Sequence, residues 1–305
     1  MSKHKPVLLK EVIDALEVKD EGVYVDATLG GGGHSKEVLQ SLKKGKLVAF
    51  DFDAESIKEF EKHLLKEGFV KKKDWLRKKN LKIALVHDNF KEINEVLKKL
   101  KLKKVDGIIA DFGLSTDQYE KIEGVSYLRD EPLDMRIDKS RQTTAADLLN
   151  ALYKKELLKL FEALSDIKFA DELVREIIYE RKLRPFKTTK QLKRIIQKVV
   201  PYHKRKGAFR NPDAKVFQAL RIAVNDELGS IRQLLPLALE TLAPEGKLAV
   251  ITFHSGEDRI VKKFINQGVA DNLIKEKSTI IKPTEIEKLK NPRSSSAKLR
   301  IIIKN

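Results

Sequence analysis

The chain has 305 residues, a formal net charge of +17 and no cysteine. At roughly 100–200 residues per domain this length predicts about two domains, and a hydrophobic content of 41% is enough for packed cores. The absence of cysteine excludes disulfides, thiolate zinc sites and a cysteine nucleophile. The positive surplus favours a polyanionic partner, either nucleic acid or an anionic membrane.

Two features argue against a membrane location. No stretch reaches the ~18 apolar residues that a membrane span requires, and the first six residues lack the apolar core of a signal peptide. We therefore expect a cytoplasmic protein with no membrane contact, for which nucleic acid is the preferred partner.

The first part of the chain alternates strand and helix patterns. Strands are predicted at residues 23–27, 46–51, 82–87 and 105–111. Helices are predicted near residues 34–42, 54–67 and 90–100. This alternation is typical of βαβ units and predicts a parallel sheet.

The pattern changes after the fourth strand. Residues 113–138 are predicted to be a loop, and helices follow at 145–152, 154–164, 167–181 and 190–198, the last opened by a capping box from Thr188 to Gln191. A helical pattern then runs from 212 towards 242, with a kink or break expected at Pro236. Strands return at 246–253 and 297–303, so we predict an α/β domain that contains an inserted helical domain.

The first strand ends in the glycine-rich turn Asp26-Ala-Thr-Leu-Gly-Gly-Gly-Gly-His34. A strand, a glycine turn and a helix together form a nucleotide-binding arrangement, because glycine lets the backbone approach a ligand. A dinucleotide site needs a third, helix-packing glycine, and Lys36 occupies that place. Asp26 suits a cationic ligand better than a pyrophosphate. The turn favours S-adenosylmethionine, while a dinucleotide or a turn without a ligand stays open.

The next strands also end in polar residues. Asp51 closes the second strand, where an acid accepts hydrogen bonds from a ribose diol. Phe90 follows the third strand and either packs on an adenine or lies in the core. Asp111 and Gln118 follow the fourth strand, placed to meet cofactor and substrate. Without cysteine, transfer to an amine or hydroxyl is favoured over methylation of a pyrimidine carbon, which needs a covalent adduct.

At these residues the sequence resembles the small-subunit (16S) ribosomal RNA cytosine-N4 methyltransferases, the MraW or RsmH family. The resemblance runs nearly end to end. Its motifs include His4-Lys-Pro-Val-Leu-Leu9, the glycine turn, Asp106-Gly-Ile-Ile-Ala-Asp111, Pro132-Leu-Asp-Met-Arg136, Phe217-Gln-Ala-Leu-Arg-Ile222, Phe253-His-Ser255 and Asn291-Pro-Arg293.

The resemblance implies a Rossmann-like S-adenosylmethionine-dependent methyltransferase sheet, with the methyl group going to N4 of a cytosine in the decoding centre. The implied partner is 16S ribosomal RNA or the small subunit, with the protein as monomer or homodimer. No metal ligands are predicted. The methyltransferase domain would span residues 1–115 and 216–305, and the inserted basic recognition domain 116–215. The cofactor contacts carried over are Gly32, Gly33, His34, Asp51, Phe90, Asp111 and Gln118.

Four residues are candidates for holding the target amine or accepting its proton: Asp111, Asp134, Asn225 and His254. Asp134 is as well explained by an ion pair with Arg136, and Asn225 by a structural position on a helix. His254 ends the fifth strand, near the predicted active-site edge.

Residues 175–210 contain 13 lysines and arginines and only two acids. Phe186, Tyr202 and Phe209 lie among them, a pattern that fits RNA phosphate contacts with base stacking, or else a solvated helix face. Two other functions stay open: a different nucleic-acid amine methyltransferase, and a ribosome assembly factor without transferase activity. The run after Asp111 lacks the Pro-Pro-Tyr type of motif that the first alternative usually carries.

Overall fold

The computed structural model describes residues 5–88, 90–114, 116–165, 167–207, 210–276 and 278–305. The strands are β1 (Val23–Asp26), β2 (Lys46–Asp51), β3 (Val70–Lys72), β4 (Trp75–Lys78), β5 (Leu81–His87), β6 (Val105–Asp111), β7 (Leu242–Thr252) and β8 (Lys298–Ile303). The helices are α1 (Leu9–Leu16), α2 (Gly33–Ser41), α3 (Ala54–Lys66), α4 (Ile93–Lys99), α5 (Thr116–Lys121), α6 (Ala145–Ala151), α7 (Lys154–Ser165), α8 (Ala170–Leu183), α9 (Thr189–Val199), α10 (Pro212–Asn225), α11 (Glu227–Thr241), α12 (Ser255–Ala270) and α13 (Glu285–Lys290).

The strands form one sheet in the order β3-β4-β5-β2-β1-β6-β7-β8. The five central strands from β5 to β7 are parallel, whereas the β3-β4 hairpin and β8 are antiparallel to their neighbours. The predicted α/β class is confirmed, but the sheet is mixed at its edges rather than wholly parallel. The parallel strands lie outward from β1 as β2 and β5 on one side and as β6 and β7 on the other, so the strand order reverses between β1 and β6.

Apolar residues on the strands and on the first helices explain why these elements pack together. The central strands are almost fully buried, as expected for parallel strands covered on both faces. Helix α3 buries Ile57, Phe60 and Leu64, spaced three and four residues apart on one helix face. These side chains join strand residues such as Leu47 and Ile109 in one core cluster. The β1, β2 and β6 ends are therefore rigidly placed.

Two compact units divide the chain: residues 1–117 with 229–305, and residues 118–228. The first contains the sheet. The second contains α6 to α10, together with a long segment before α6 that is anchored by the buried side chains of Leu133 and Met135. The observed limit at 228/229 assigns α10 to the helical unit, whereas the sequence placed this boundary at 215/216.

Helix breaks and caps show where local sequence rules succeed and fail. The capping box is confirmed, because the Thr188 backbone N–H donates to Gln191 Oε1 at 2.9 Å. Of the kink or break expected at Pro236, the break is wrong, because α11 continues through that residue. The chain instead breaks at Asp226, whose φ of 49° ends α10 in the left-handed region. The predicted loop at 113–138 also contains the short helix α5.

No helix in the described part of the chain combines the length and hydropathy needed to cross a bilayer.

Candidate active site

A cleft lies where β1 and β6 end side by side, at the point where the strand order reverses. Residues 28–31, 33 and 34 line it after β1, Asp111 and Gly113 line it after β6, and Pro6 contributes from the start of the chain. The Thr28 hydroxyl ties the two strand ends together by accepting from the Asp111 backbone N–H at 2.7 Å. Open α/β sheets bind ligands at this kind of switch point.

The glycine turn needs glycine for two separate reasons. Gly30 and Gly32 have φ values of 50° and 73°, a region that strains other residues. A Cβ at Gly32 would also clash with the ring of Phe60, and one at Gly33 would lie 2.8 Å from the ring of Pro6. Gly33 starts α2, so backbone N–H groups at a helix N-terminus face the cleft without a covering side chain.

Asp51 links β2 to this turn. Its Oδ2 accepts from the Gly30 N–H at 2.7 Å, and its Oδ1 accepts from the Asp53 N–H at 2.8 Å. Burial raises the pKa of the Asp51 carboxyl to about 7, against the lowering effect of these two hydrogen bonds. Each carboxylate oxygen keeps a further lone pair for a hydroxyl donor of a ligand.

Asp26 organises the turn from within. The carboxylate is 1% exposed and accepts from Ser35 Oγ at 2.7 Å and from the Thr28 N–H at 3.1 Å. Burial raises its pKa to about 6. The contacts of Asp26 are therefore structural, while its charge still contributes to the field of the cleft.

His34 and Asp111 face the cleft from its two sides. Burial lowers the pKa of His34, so the ring is neutral at pH 7. Its Nε2 lies 3.0 Å from the carbonyl oxygen of Val7, which can only accept, so Nε2 carries the proton and Nδ1 is an acceptor. Burial raises the pKa of Asp111 to about 6, with His34 acting in the opposite direction.

The charge of the cleft comes from acids. In the described part of the chain, Asp26, Asp51 and Asp111 make no ion pair with lysine or arginine. Their pKa values are raised because burial disfavours the ionised form and no cationic side chain offsets it. A ligand with a positive charge and hydroxyl donors would stabilise the ionised form of these carboxyls.

Comparison with known proteins places the chain in a family. The family model described as MraW methylase family matches residues 1–305. The chain belongs to the MraW methylase family.

Relatives in the family align with the whole chain. A protein of Halothermothrix orenii named ribosomal RNA small subunit methyltransferase H is 38% identical, covering 99% of this chain and 98% of the relative. A Clostridium botulinum protein of the same name is 39% identical, covering 98% of each. Among solved structures, an rRNA methylase from Streptococcus thermophilus aligns with a TM-score of 0.45 and 12% identity, covering 98% of this chain and 97% of that one.

The structure brings most of the cofactor residues predicted from the family together. Gly33, His34 and Asp111 line the cleft, Gly32 belongs to the same turn without lining the cleft, and Asp51 is hydrogen-bonded to the turn. Two others lie elsewhere: Phe90 is buried at the start of a 3-10 helix (Phe90–Glu92) that follows β5, and Gln118 is buried in the helical unit. The cofactor contacts of all seven stay predictions.

Two catalytic candidates in the helical unit are engaged in structural contacts. Asp134 accepts from Arg136 Nε at 2.7 Å and Nη2 at 3.0 Å and from Lys139 Nζ at 2.9 Å. These side chains hold the pKa of Asp134 far below its usual range despite the opposing effect of burial. Asn225 accepts from the Ile137 N–H at 2.9 Å and donates to the Met135 carbonyl at 2.8 Å, so it holds the segment before α6.

His254 caps α12. Its Nδ1 accepts from the Glu257 N–H at 3.4 Å, and its Nε2 lies buried 3.1 Å from Glu257 Oε1. Glu257 in turn accepts from the Phe253 N–H at 2.6 Å. This capping box accounts for Nδ1 of His254 but not for Nε2, which makes no hydrogen bond among the described residues. The catalytic role of His254 stays a prediction.

Sequence reasoning missed three contributors to the cleft. Pro6 and Val7 form a wall and hold His34, and Thr28 joins the ends of β1 and β6. A signal for the first two was present, since they belong to the motif at residues 4–9, of which His4 lies outside the described residues. Nothing in the sequence pattern marks a threonine hydroxyl as the link between two strands.

Proposed function

We propose that this chain transfers a methyl group from S-adenosylmethionine to the exocyclic N4 amine of a cytosine in the decoding centre of small-subunit (16S) ribosomal RNA. The observation that carries this proposal is the family match over residues 1–305, with relatives named ribosomal RNA small subunit methyltransferase H at 38–39% identity. The acidic cleft at the switch point supplies a matching donor site.

The residues present fit this donor. S-adenosylmethionine carries an ammonium, a sulfonium and a ribose diol. Asp111 lines the cleft, and Asp26 and Asp51 are hydrogen-bonded to its glycine turn. None of the three has a cationic partner among the described residues. When bound, the donor supplies an electrophilic methyl group on sulfur. Asp51 would accept from the ribose hydroxyls, and the backbone at Gly32 and Gly33 would allow close approach.

We assign the remaining predicted contacts by residue type. Phe90 would pack on the adenine, His34 would offer its unprotonated Nδ1 as an acceptor, and Gln118 would bind through its amide. Each of these assignments can be tested separately, because alanine at one position leaves the other contacts in place.

Among the four catalytic candidates, Asp111 is the one we favour. It lines the cleft, and a pKa of about 6 leaves it ionised at pH 7 to 8. An ionised Asp111 can accept a hydrogen bond from the N4 amine, orient its lone pair and take its proton as the nitrogen–carbon bond forms. Asp134 and Asn225 already use their polar atoms in the contacts described above. His254 uses Nδ1 to cap α12, whereas its buried Nε2 accepts and donates no hydrogen bond among the described residues.

We further propose that the helical unit, predicted from the sequence as residues 116–215, recognises the RNA. Between residues 182 and 210, seven basic side chains are exposed and have no ion-pair partner among the described residues: Lys182, Arg184, Lys187, Lys190, Arg194, Lys206 and Arg210. Lys190 and Arg194 lie one turn apart on α9, opposite the buried Leu192 and Ile196. Uncompensated exposed cations are suited to RNA phosphates.

Two details revise the predicted RNA contacts. Phe186 is 3% exposed and belongs to the core, so it cannot stack on a base, whereas Tyr202 is 91% exposed. Arg205 is paired with the buried Asp213 at 2.5 Å and is not a free cation. Phe209 lies outside the described residues.

The test uses labelled S-adenosylmethionine and small-subunit particles that lack the modification. After incubation the RNA is digested and the labelled nucleoside is identified. We expect N4-methylcytidine from wild type and none from Asp111→Asn. Label in another nucleoside would refute the proposed acceptor, and label in no nucleoside, together with measurable donor binding, would favour the assembly-factor alternative.

A further inference from the structure

Two segments from opposite ends of the chain meet beside the donor cleft. The N-terminal segment, residues 5–8, contacts the C-terminal segment, residues 284–291. Glu287 Oε1 accepts from the Leu8 backbone N–H at 2.8 Å, and Asn291 Nδ2 donates to the Lys5 carbonyl at 3.1 Å. Each segment carries part of a family motif to which the proposed reaction assigns no role.

The N-terminal segment forms one wall of the cleft. The ring of Pro6 lies against Gly33, close enough that a Cβ on this glycine would lie 2.8 Å away. The Val7 carbonyl accepts from His34 Nε2 at 3.0 Å. Leu8 is fully buried and left-handed, with φ of 53°, a conformation that is strained for leucine. The hydrogen bond from its N–H to Glu287 helps to hold this conformation.

The C-terminal segment is itself firmly anchored. Thr284 Oγ1 caps α13 by accepting from the Glu287 N–H at 3.2 Å. Ile281, just before the segment, pairs with Leu299 of β8 through two backbone hydrogen bonds of 3.0 and 2.9 Å. The segment therefore connects the sheet to the start of the chain, where termini are poorly ordered unless they are tied down.

We propose that Glu287 and Asn291 are positioning residues for the methyl donor: they hold the N-terminal segment against the glycine turn and thereby shape the cleft and orient His34. The role rests on the proposed function, which names S-adenosylmethionine as the ligand. Glu287 and Asn291 act through Pro6 and Val7. Without them the N-terminal segment must be ordered when the donor binds, which reduces affinity.

The same contacts determine which ring nitrogen of His34 carries the proton. The Val7 carbonyl keeps the proton on Nε2, which leaves Nδ1 unprotonated beside Asp111. When the N-terminal segment is released, the ring loses this acceptor and becomes more exposed to water. The imidazole nitrogen resonances of His34 should then shift from a single tautomer towards a mixture.

The first experiment measures donor affinity by calorimetry on the full chain. We expect Glu287→Ala to weaken S-adenosylmethionine binding by about tenfold, the size expected for a lost hydrogen bond to a charged group. Asn291→Ala removes a hydrogen bond between neutral groups and should weaken binding by about threefold. Glu287→Gln keeps the Oε1 acceptor and should retain most of the affinity. Glu285→Ala is the matched control, because Glu285 lies on the same helix and, among the described residues, its ion pair is with the nearby Lys288.

The second experiment measures amide exchange of Leu8 without ligand. We expect faster exchange in Glu287→Ala and wild-type exchange in Glu285→Ala. Wild-type affinity in both alanine variants would overturn the proposal, and so would an equal loss of affinity in Glu287→Gln and Glu287→Ala. A wild-type protein that binds no S-adenosylmethionine would instead refute the proposed function, which distinguishes the two failures.

Discussion

Acidic side chains have different partners in the two units of the molecule. In the sheet unit, Asp111 lines the cleft, and Asp26 and Asp51 accept hydrogen bonds from the glycine turn. None of the three has a lysine or arginine partner among the described residues, and their pKa values are raised. In the helical unit, Asp134 is bound by Arg136 and Lys139, and Asp213 is bound by Arg205. Asp134 and Asp213 serve the structure through these ion pairs, and Asp26 does so through its hydrogen bonds to Thr28 and Ser35. Asp51 and Asp111 keep carboxylate oxygens that can accept from a ligand.

The difference is a property of the cleft rather than of the sheet unit as a whole. Asp258 on α12 belongs to the same unit, yet it pairs with Lys298 at 2.9 Å and Arg300 at 2.8 Å. These cations lower its pKa despite the opposing effect of burial. The contrast is therefore between the cleft acids and Asp134, Asp213 and Asp258, each of which has a cationic partner. A raised pKa in a cleft favours a functional role.

The largest expected effect is on Asp111, the acid that we assign to the target amine. Asp111→Asn should reduce the methylation rate by about 10²- to 10⁴-fold, because the variant cannot take a proton. Single-turnover methylation of small-subunit particles measures this rate. Asp106→Asn, at the other end of β6, is the control and should react as wild type, since an amide oxygen can still accept from the Val23 N–H. Comparable loss in both variants would show that the strand, not the acid, is required.

Substitution of an acid that forms an ion pair should lower the free energy of unfolding rather than the methylation rate. Asp134→Asn should lower the free energy of unfolding by about 2 kcal/mol, because Arg136 and Lys139 lose a charged acceptor. Urea unfolding followed by circular dichroism measures the change. Asp171→Asn removes an exposed ion pair with Arg175 and should cost less than about 1 kcal/mol. If Asp134→Asn were as stable as wild type but inactive, Asp134 would join Asp111 as a catalytic group.

The exposed cations of the helical unit should determine RNA affinity. The combined variant Lys182→Gln, Arg184→Gln and Lys187→Gln should weaken RNA binding about 30-fold and reduce the salt dependence by roughly two to three units of slope. Filter binding at several salt concentrations measures both. The control removes the same charge from α3, with Lys58→Gln, Lys62→Gln and Lys66→Gln. An equal effect of the control would show that net charge, not this surface, binds the RNA.

The smallest effect concerns pH. Below its pKa a carboxyl is protonated and neutral, so attraction for a cationic ligand is present above the pKa and is lost as the pH falls through it. With pKa values of about 7 for Asp51 and about 6 for Asp111, S-adenosylmethionine affinity should fall about three- to tenfold between pH 8 and pH 5.5. S-adenosylhomocysteine lacks the sulfonium charge and should show a smaller change. Calorimetry at four pH values measures both ligands, and parallel profiles would contradict the acidic-cleft model.

Local patterns sufficed for much of the fold. The first four predicted strands lie within one residue of the observed ones, because buried parallel strands are continuous apolar runs that end in polar residues. The hairpin of β3 and β4 was missed, since its short, lysine-rich strands are mostly exposed and carry no such run. The break expected at Pro236 does not occur, because a single proline can be accommodated inside a helix packed on a core.

The sequence by itself determined the glycine turn, the acids at the strand ends and the family, because each depends on residue type and spacing along the chain. Only the tertiary structure decided which of these acids lack a cationic partner among the described residues. It showed that Asp134 has cationic partners and Asp111 has none among the described residues, and that Glu287 reaches Leu8 across the chain. Hydrogen bonds and burial depend on residues distant in sequence. These contacts distinguish a carboxylate with a structural role from one that can bind a ligand.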